Sequence, residues 1–206
     1  MIKIIVDKMP NEAKECPFSE FVAMTNKHCC MFQKGLYARC NLECDTKCEY
    51  LKEKKMIRGF QEVRKEFKKH EEAVHLPTRG SKHSAGYDFY SPERIAVPPF
   101  GKSDVIATDV KAYMQEGEVL ILHVRSSIGI KRGLTLSNCT GVIDKDFYNN
   151  PDNDGNICFV LQNNTDKKQV IEKGERMMQG IFMPFLIADD DEAAAERLGG
   201  IGSSGK

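Results

Sequence analysis

The chain has 206 residues, with 30 basic and 30 acidic side chains and a formal net charge of +0. That length suits one medium domain plus a small one, and the charge balance gives no global basic excess to favour DNA or RNA as the main partner. No apolar run approaches the roughly 18 residues that span a membrane, and the opening MIKIIVDKMP lacks the small-residue cleavage site of a secretory leader. A soluble cytoplasmic protein with no nucleic-acid or membrane partner is the expectation.

In chain order, residues 1–10 read as a short strand, IKIIV, ended by Pro10. Residues 11–48 are irregular and carry six of the eight cysteines: Cys16, Cys29, Cys30, Cys40, Cys44 and Cys48. A reducing compartment argues against a disulfide framework. Tetrahedral zinc needs four N or S ligands, and Cys16, Cys30, Cys40 and Cys48 form a candidate Zn²⁺ set, with Cys29 or Cys44 as substitutes. The spacing is not the paired C-x₂-C of zinc ribbons, and reduced core thiols or disulfides are the alternatives. Over residues 47–73, Met56, Phe60, Val63 and Phe67 recur at i, i+4, i+7 and i+11, one apolar stripe that predicts an amphipathic helix ended before Pro77. Residues 1–75 are thus expected as a cysteine-rich module with a long helix, a packing element or spacer that offers a surface for an unknown protein partner.

From residue 76 the pattern becomes β. Short apolar runs at 95–97, 105–110, 119–125, 134–137, 157–162 and 176–187 alternate with Gly, Pro, Asn and Asp turns, the spacing of a sandwich or barrel. Residues 76–206 are therefore expected as one β domain. It ends in an acidic stretch, 189–196, and a glycine-rich tail, 197–206.

Five polar segments stand out: AGYDFYS (85–91), RSSIGIKRG (125–133), NCTGVIDKDFY (138–148), GERMMQG (174–180) and GGIGSSG (199–205). Phosphate oxygens need backbone N–H groups, hydroxyls and guanidinium forks, and Arg125, Ser126, Ser127, Gly129, Gln179, Ser203 and Ser204 supply them. Asp144 follows two β-branched residues just past Gly141, as an acid presented at the end of a tight β-turn. Such a carboxylate can take a proton from an attacking water. Asp88 can hold the water shell of Mg²⁺, which keeps several waters when it binds phosphates.

These five motifs, in this order over residues 85–205, resemble those of the trimeric dUTPase (dUTP diphosphatase) family. The resemblance implies a mainly β fold, a jelly-roll-like β-barrel assembled as a homotrimer, with three sites at subunit interfaces. It implies Mg²⁺-dependent hydrolysis of dUTP to dUMP and pyrophosphate. By position, Asp144 resembles the general base for in-line attack on the α-phosphorus. Asn138, with the backbone of Gly141, Val142 and Ile143, resembles the hairpin that reads uracil and leaves no room for a 5-methyl group. Phe147 stands where the family usually has a Tyr packed under the deoxyribose to exclude a 2′-hydroxyl. Arg125, Ser126, Ser127 and Gln179 match the phosphate contacts, Asp88 the metal contact through water, and Arg197 the γ-phosphate arginine.

Departures from the family pattern fall at two places. After Asp144 the chain runs on through DFYNNPDNDG, longer than the usual Asp-Tyr-Arg-Gly, and this loop is expected to bulge at the surface. In the tail, Ile201 replaces the Phe that caps uracil, and Arg197 lies one residue nearer to it than in many relatives. The tail is expected to be disordered when free and to close over bound nucleotide. Asp146 reads as a turn or interface residue and Arg176 as a structural ion-pair partner. A dCTP deaminase shares the fold but needs a Glu on the strand after the Asp motif, and ICFVLQN has none. A regulatory protein that uses nucleotide occupancy as a switch is the alternative from another class.

Overall fold

The computed structural model describes residues 56–194, Arg197 and Gly199, together with the backbone of four short strands nearer the N-terminus. The chain divides into two compact units, Met1–Met56 and Ile57–Lys206. The first contains β1 (Ile4–Val6), β2 (Ser19–Val22), β3 (Lys27–Cys30) and β4 (Leu51–Glu53). Strand β1 pairs in parallel with β4, and β2 pairs antiparallel with β3. Cys16, Cys40 and Cys48 lie outside the described residues, and of Cys30 only the strand backbone is described.

The second unit is built from antiparallel strands and one short helix. In order these are β5 (Gly59–Glu62), β6 (Thr78–Arg79), β7 (Tyr87–Tyr90), β8 (Ile95–Val97), β9 (Ile106–Ala107), β10 (Val110–Tyr113) and β11 (Glu118–Val124). Helix α1 (Ser126–Arg132) follows, then β12 (Leu134–Leu136), β13 (Gly141–Ile143), β14 (Cys158–Phe159), β15 (Leu161–Asn163), β16 (Gln169–Ile171) and β17 (Arg176–Pro184). Five strands form one sheet in the order β13-β11-β17-β7-β6, and the others pair as β10-β5, β12-β15, β14-β9 and β16-β8. The inward residues, among them Phe89, Val97, Leu120, Leu122, Leu134, Ile157, Leu161, Ile171, Met177 and Met178, make one continuous apolar core. This is the mainly β architecture expected from the close spacing of short apolar runs. The run at 105–110 is broken into β9 and β10 at Asp109, whose φ of 57° is left-handed.

One expectation is corrected outright and a second in part. The helix predicted over 47–73 does not form: residues 51–53 are strand, and residues 56–73 hold β5 and a single 3₁₀ turn, Lys65–Phe67. Strand β5 pairs with β10, from Gly59↔Tyr113 to Glu62↔Val110. The stripe of Phe60, Val63 and Phe67 is real but serves another surface. Phe60 packs at ring-centroid distances of 5.3–5.5 Å from Tyr87, Phe89 and Phe182, and Val63 is buried. Burial against a preformed sheet outweighs helical propensity, which Gly59 already weakens. The arm from residue 57 therefore belongs to the β unit.

The loop after Phe147 is exposed only in part: Asn149, Pro151 and Asp152 face solvent, while its other half turns inward. Asn150, Asp154 and Asn156 are buried. Asp154 Oδ2 accepts from the Arg64 backbone N–H and from Lys111 Nζ, both at 2.7 Å, while Oδ1 accepts from Arg64 Nε at 2.9 Å. Asp109 accepts from the backbone N–H groups of Lys69 and His70 and from Asn156 Nδ2 at 2.9 Å. These polar side chains thus turn inward because the arm and β10 supply partners for them, and a buried charge is tolerated when so paired.

Burial alone would push both carboxyls up. For Asp109 the hydrogen bonds from Lys69, Asn156 and His70 outweigh it, and for Asp154 those from Lys111 and Arg64 do, so both sit below the usual carboxylate range. A depressed folded-state pKa contributes stability that is present above the unfolded value of about 3.9 and is lost as pH falls through the folded one. Asp109→Asn should therefore cost about 1–3 kcal/mol near neutral pH. In urea titrations its deficit should be constant from pH 7 to about pH 5 and shrink as pH falls from there through about 3.9 and below, and a deficit independent of pH would contradict this account. Phe60→Ala should destabilise the β unit by about 2–4 kcal/mol in thermal or urea unfolding, whereas an arm that merely lies on the surface would give a change near zero.

Candidate active site

The connection between β12, which pairs with β15, and β13, which pairs with β11, turns through Ser137, Asn138, Cys139 and Thr140; for this tight turn it is termed the hairpin. Cys139 takes a φ of 63°, its N–H donates to the Leu136 carbonyl at 2.9 Å, and the Thr140 N–H donates to that of Asn138 at 2.7 Å. Strand β13 runs antiparallel to β11 with Leu122 opposite Gly141 and Leu120 opposite Ile143. A Cβ on residue 141 would lie 3.1 Å from that of Leu122, so glycine spares the turn a crowded contact where it meets the sheet. Strand β13 is the outermost strand of its sheet, and a sheet edge presents backbone N–H and C=O groups without a strand partner.

Beside this edge lies a cavity of about 420 Å³, walled by Leu136, Asn138, Gly141, Val142, Ile143, Phe147, Phe159 and Arg197 among others. It is mostly apolar with a few polar groups, the common make-up of a small-molecule site. Asp144 follows Ile143 directly and begins a 3₁₀ turn, Lys145–Phe147, that it does not cap with its side chain. Its carboxylate is half-buried and accepts from Arg197 Nη1 at 2.9 Å, while Asp146 Oδ1 takes the same nitrogen at 3.1 Å. The Arg197 guanidinium lies 5.5 Å from the centroid of the Phe147 ring, and its Nε is buried without a hydrogen-bond partner.

A second cluster is built on the middle of the five-stranded sheet. Asp88 on β7 stands opposite Gln179 on β17, which in turn stands opposite His123 on β11. Asp88 is buried, with Oδ1 paired to Arg125 Nε at 2.9 Å and Oδ2 to Arg176 Nη1 at 3.2 Å. Arg125 is the extended residue that leads into α1, so Ser126 and Ser127 form the first turn of that helix and Gly129 lies one turn on. Arg176 is an ion-pair partner, as the sequence suggests.

The residues singled out in the sequence therefore fall into two groups. Asn138, Gly141, Val142, Ile143, Phe147 and Arg197 wall the cavity, with Asp144 beside it. Arg125 and Gln179 flank Asp88, Ser126, Ser127 and Gly129 follow Arg125 in α1, and none of the five is among the residues that line the cavity. Ile201, Ser203 and Ser204 lie outside the described residues. Sequence reasoning passed over Val105, Leu122, Leu136, Ser137, Cys158, Phe159 and Val160, which complete the cavity wall. Their only sequence signal was membership of the short apolar runs. Burial, followed by the nearby Asp109 charge, pushes the Cys158 thiol up to about 11, so it is a wall residue and not a nucleophile. Among the described residues no cluster of His, Cys, Asp and Glu suits a metal ion, and no helix is long and apolar enough to cross a membrane.

Known proteins of similar sequence and shape agree on one family. The dUTPase family profile matches residues 72–205. The deoxyuridine 5'-triphosphate nucleotidohydrolase of Lactococcus lactis subsp. lactis is 52% identical over 151 residues, 72% of this chain and 98% of that protein. The protein of the same name from Debaryomyces hansenii is 36% identical over 64% of this chain and 81% of its own length. Among solved structures, the dUTPase of Streptococcus mutans superposes with a TM-score of 0.56 at 46% identity, covering 64% of this chain and 98% of that one. With the sheet order, the hairpin cavity and the five motifs in place, these similarities show that the chain belongs to the dUTPase family.

Proposed function

We propose that this chain hydrolyses dUTP to dUMP and pyrophosphate, with the hairpin cavity as the nucleoside half of its site and Asp144 as the base. The observation that carries this reading is the placement of one carboxylate, Asp144, at the rim of an apolar cavity bounded by a free strand edge, Asn138 and Phe147. The relatives' shared name, deoxyuridine 5'-triphosphate nucleotidohydrolase, supports it. The cavity wall includes no glutamate, so a dCTP deaminase finds no support.

The chemistry follows from the parts. Uracil has alternating donors and acceptors that suit the β13 edge and the Asn138 amide. The closeness of the hairpin disfavours a 5-methyl group. Phe147 offers the deoxyribose an apolar face that leaves a 2′-hydroxyl unpaired. Asp144 takes the proton of a water that attacks the α-phosphorus, and the bond to the bridging oxygen breaks to release pyrophosphate. Most of the rate enhancement in such a transfer comes from positioning and from charge placed on the phosphate oxygens. Arg125, Ser126, Ser127 and Gln179 have the chemistry for that charge. Because they gather away from the cavity lining, a complete site draws the phosphate cluster of another copy, which supports the homotrimer that the family resemblance implies.

Each Asp88 carboxylate oxygen holds one guanidinium and keeps a lone pair that can accept from a water of the Mg²⁺ shell. Asp88 also orients Arg125. Mg²⁺ is assigned to the triphosphate with which it travels, as part of the substrate.

Two outcomes test this account. Asp144→Asn should lower dUTP turnover by at least about 10³-fold while dUTP still binds, and undiminished pyrophosphate release would remove Asp144 from the reaction. Arg197 pairs with Asp144 and lies over Phe147, where it competes with a nucleoside for the ring, so Arg197→Gln should bind deoxyuridine about two- to fivefold more tightly, the worth of a partly exposed ion pair. The same variant should bind dUTP more weakly in calorimetry. Weaker deoxyuridine binding would mean that Arg197 helps to seat the nucleoside.

A further inference from the structure

We propose that Asp154, a buried carboxylate outside the site, is the positioning residue that sets how closely Phe147 meets the sugar, and so helps to decide between deoxyribose and ribose. The inference rests on the reading of the cavity as a deoxynucleotide site. Its carboxylate joins three segments that are distant in sequence. It accepts from the backbone and side chain of Arg64 on the arm and from Lys111 Nζ on β10. Its own N–H donates to the Asn150 carbonyl at 2.9 Å.

From there the path to the sugar contact is short. Gly155, at a φ of 82°, packs its backbone against Phe147: an added Cβ would lie 2.7 Å from the Phe147 carbonyl oxygen and 3.1 Å from the Tyr148 Cα. The Asn150 amide donates to that same carbonyl at 2.8 Å. Lys111 also donates to Asn149 Oδ1 at 2.6 Å, and Tyr148 donates to Gln61 on β5 at 2.7 Å. The turn that carries Phe147 is thus clamped from behind by Asp154 and Gly155, and its ring is fixed on the cavity side. Loss of the Asp154 charge leaves Lys111 buried without its counter-ion and frees the 147–155 turn to shift. A steric gate loosened by a fraction of an ångström discriminates less.

The test is the ratio of kcat/KM for UTP to that for dUTP, measured with Mg²⁺ on the full chain. Asp154→Asn keeps the shape and the left-handed backbone, and should raise this ratio about tenfold. Gly155→Ala should raise it as well, without any change of charge. Arg64→Ala keeps the backbone N–H bond to Asp154 and removes the side-chain contacts to Asp154, Glu66 and Phe67, so it is the mildest of the three and should give a smaller rise in the same direction. Phe60→Ala lowers the melting temperature through a different contact and should leave the ratio at the wild-type value. A ratio unchanged in Arg64→Ala and in whichever of the other two folds, or raised equally by Phe60→Ala, overturns the proposal. If the wild-type protein itself fails to prefer dUTP over UTP, what fails is the reading of the cavity as a deoxynucleotide site.

Discussion

The ladder between β11 and β17, unbroken from Glu118↔Pro184 to Val124↔Met178, is the constraint on which the rest of the unit depends. One register fixes both halves of the site. On one side, β11 places Leu122 opposite Gly141, which sets the hairpin and its cavity. On the other, β17 carries Gln179 opposite Asp88, and β11 ends where Arg125 turns into α1. A slip of one residue would reverse the faces of every side chain in the strand. It would move Leu122 off Gly141 and Gln179 off Asp88 together. Leu120, Leu122 and Met178 are buried on this ladder, so apolar burial holds the register and the site inherits its precision from the core.

A second layer of constraint is polar. The arm from residue 57 and the loop that follows Phe147 are tied by two buried carboxylates, Asp109 and Asp154, each with several donors. Charges taken out of water are expensive unless fully paired, and pairs of this kind specify geometry more than they add stability. Both aspartates, like Asn149 between them, sit at left-handed φ values that only a few residue types accept. Such a network makes the loop a rigid wall behind Phe147, whereas an exposed polar loop of the same length would sample many conformations.

How much of this was legible in the sequence differs by element. The β character of the region after residue 76, the hairpin at Asn138–Ile143 and the grouping of Asp144 with its flanking residues were readable, because glycine punctuation and short β-branched runs report local geometry directly. The separation of the site into two clusters was not, since nothing in a linear motif order says that Arg125 pairs with Asp88 and not with the cavity. The arm was misread because Phe60, Val63 and Phe67 fit a helical period, while the partners that draw them into the sheet, Tyr87, Phe89 and Phe182, lie far along the chain. The loop was read only in part for the same reason: Asn149, Pro151 and Asp152 are exposed, but Asp154 turns inward to Arg64 and Lys111.

On the proposed reading, the electrostatics of the Asp88 cluster bear on how a triphosphate would be held. One carboxylate faces two guanidiniums, so the group carries an excess positive charge while its geometry is locked without ligand. An arginine already fixed by a carboxylate loses little side-chain entropy when it meets phosphate, and its Nη atoms remain for the incoming oxygens because Asp88 takes Nε. A directly coordinated metal would need Asp88 to give up one of these partners and would cancel the benefit. The arrangement therefore favours a substrate whose own metal shields part of its charge, with the arginine meeting what remains. Asp144 and Asp146 share Arg197; on the proposed reading, phosphates that draw Arg197 to themselves would leave Asp144 free to act on water.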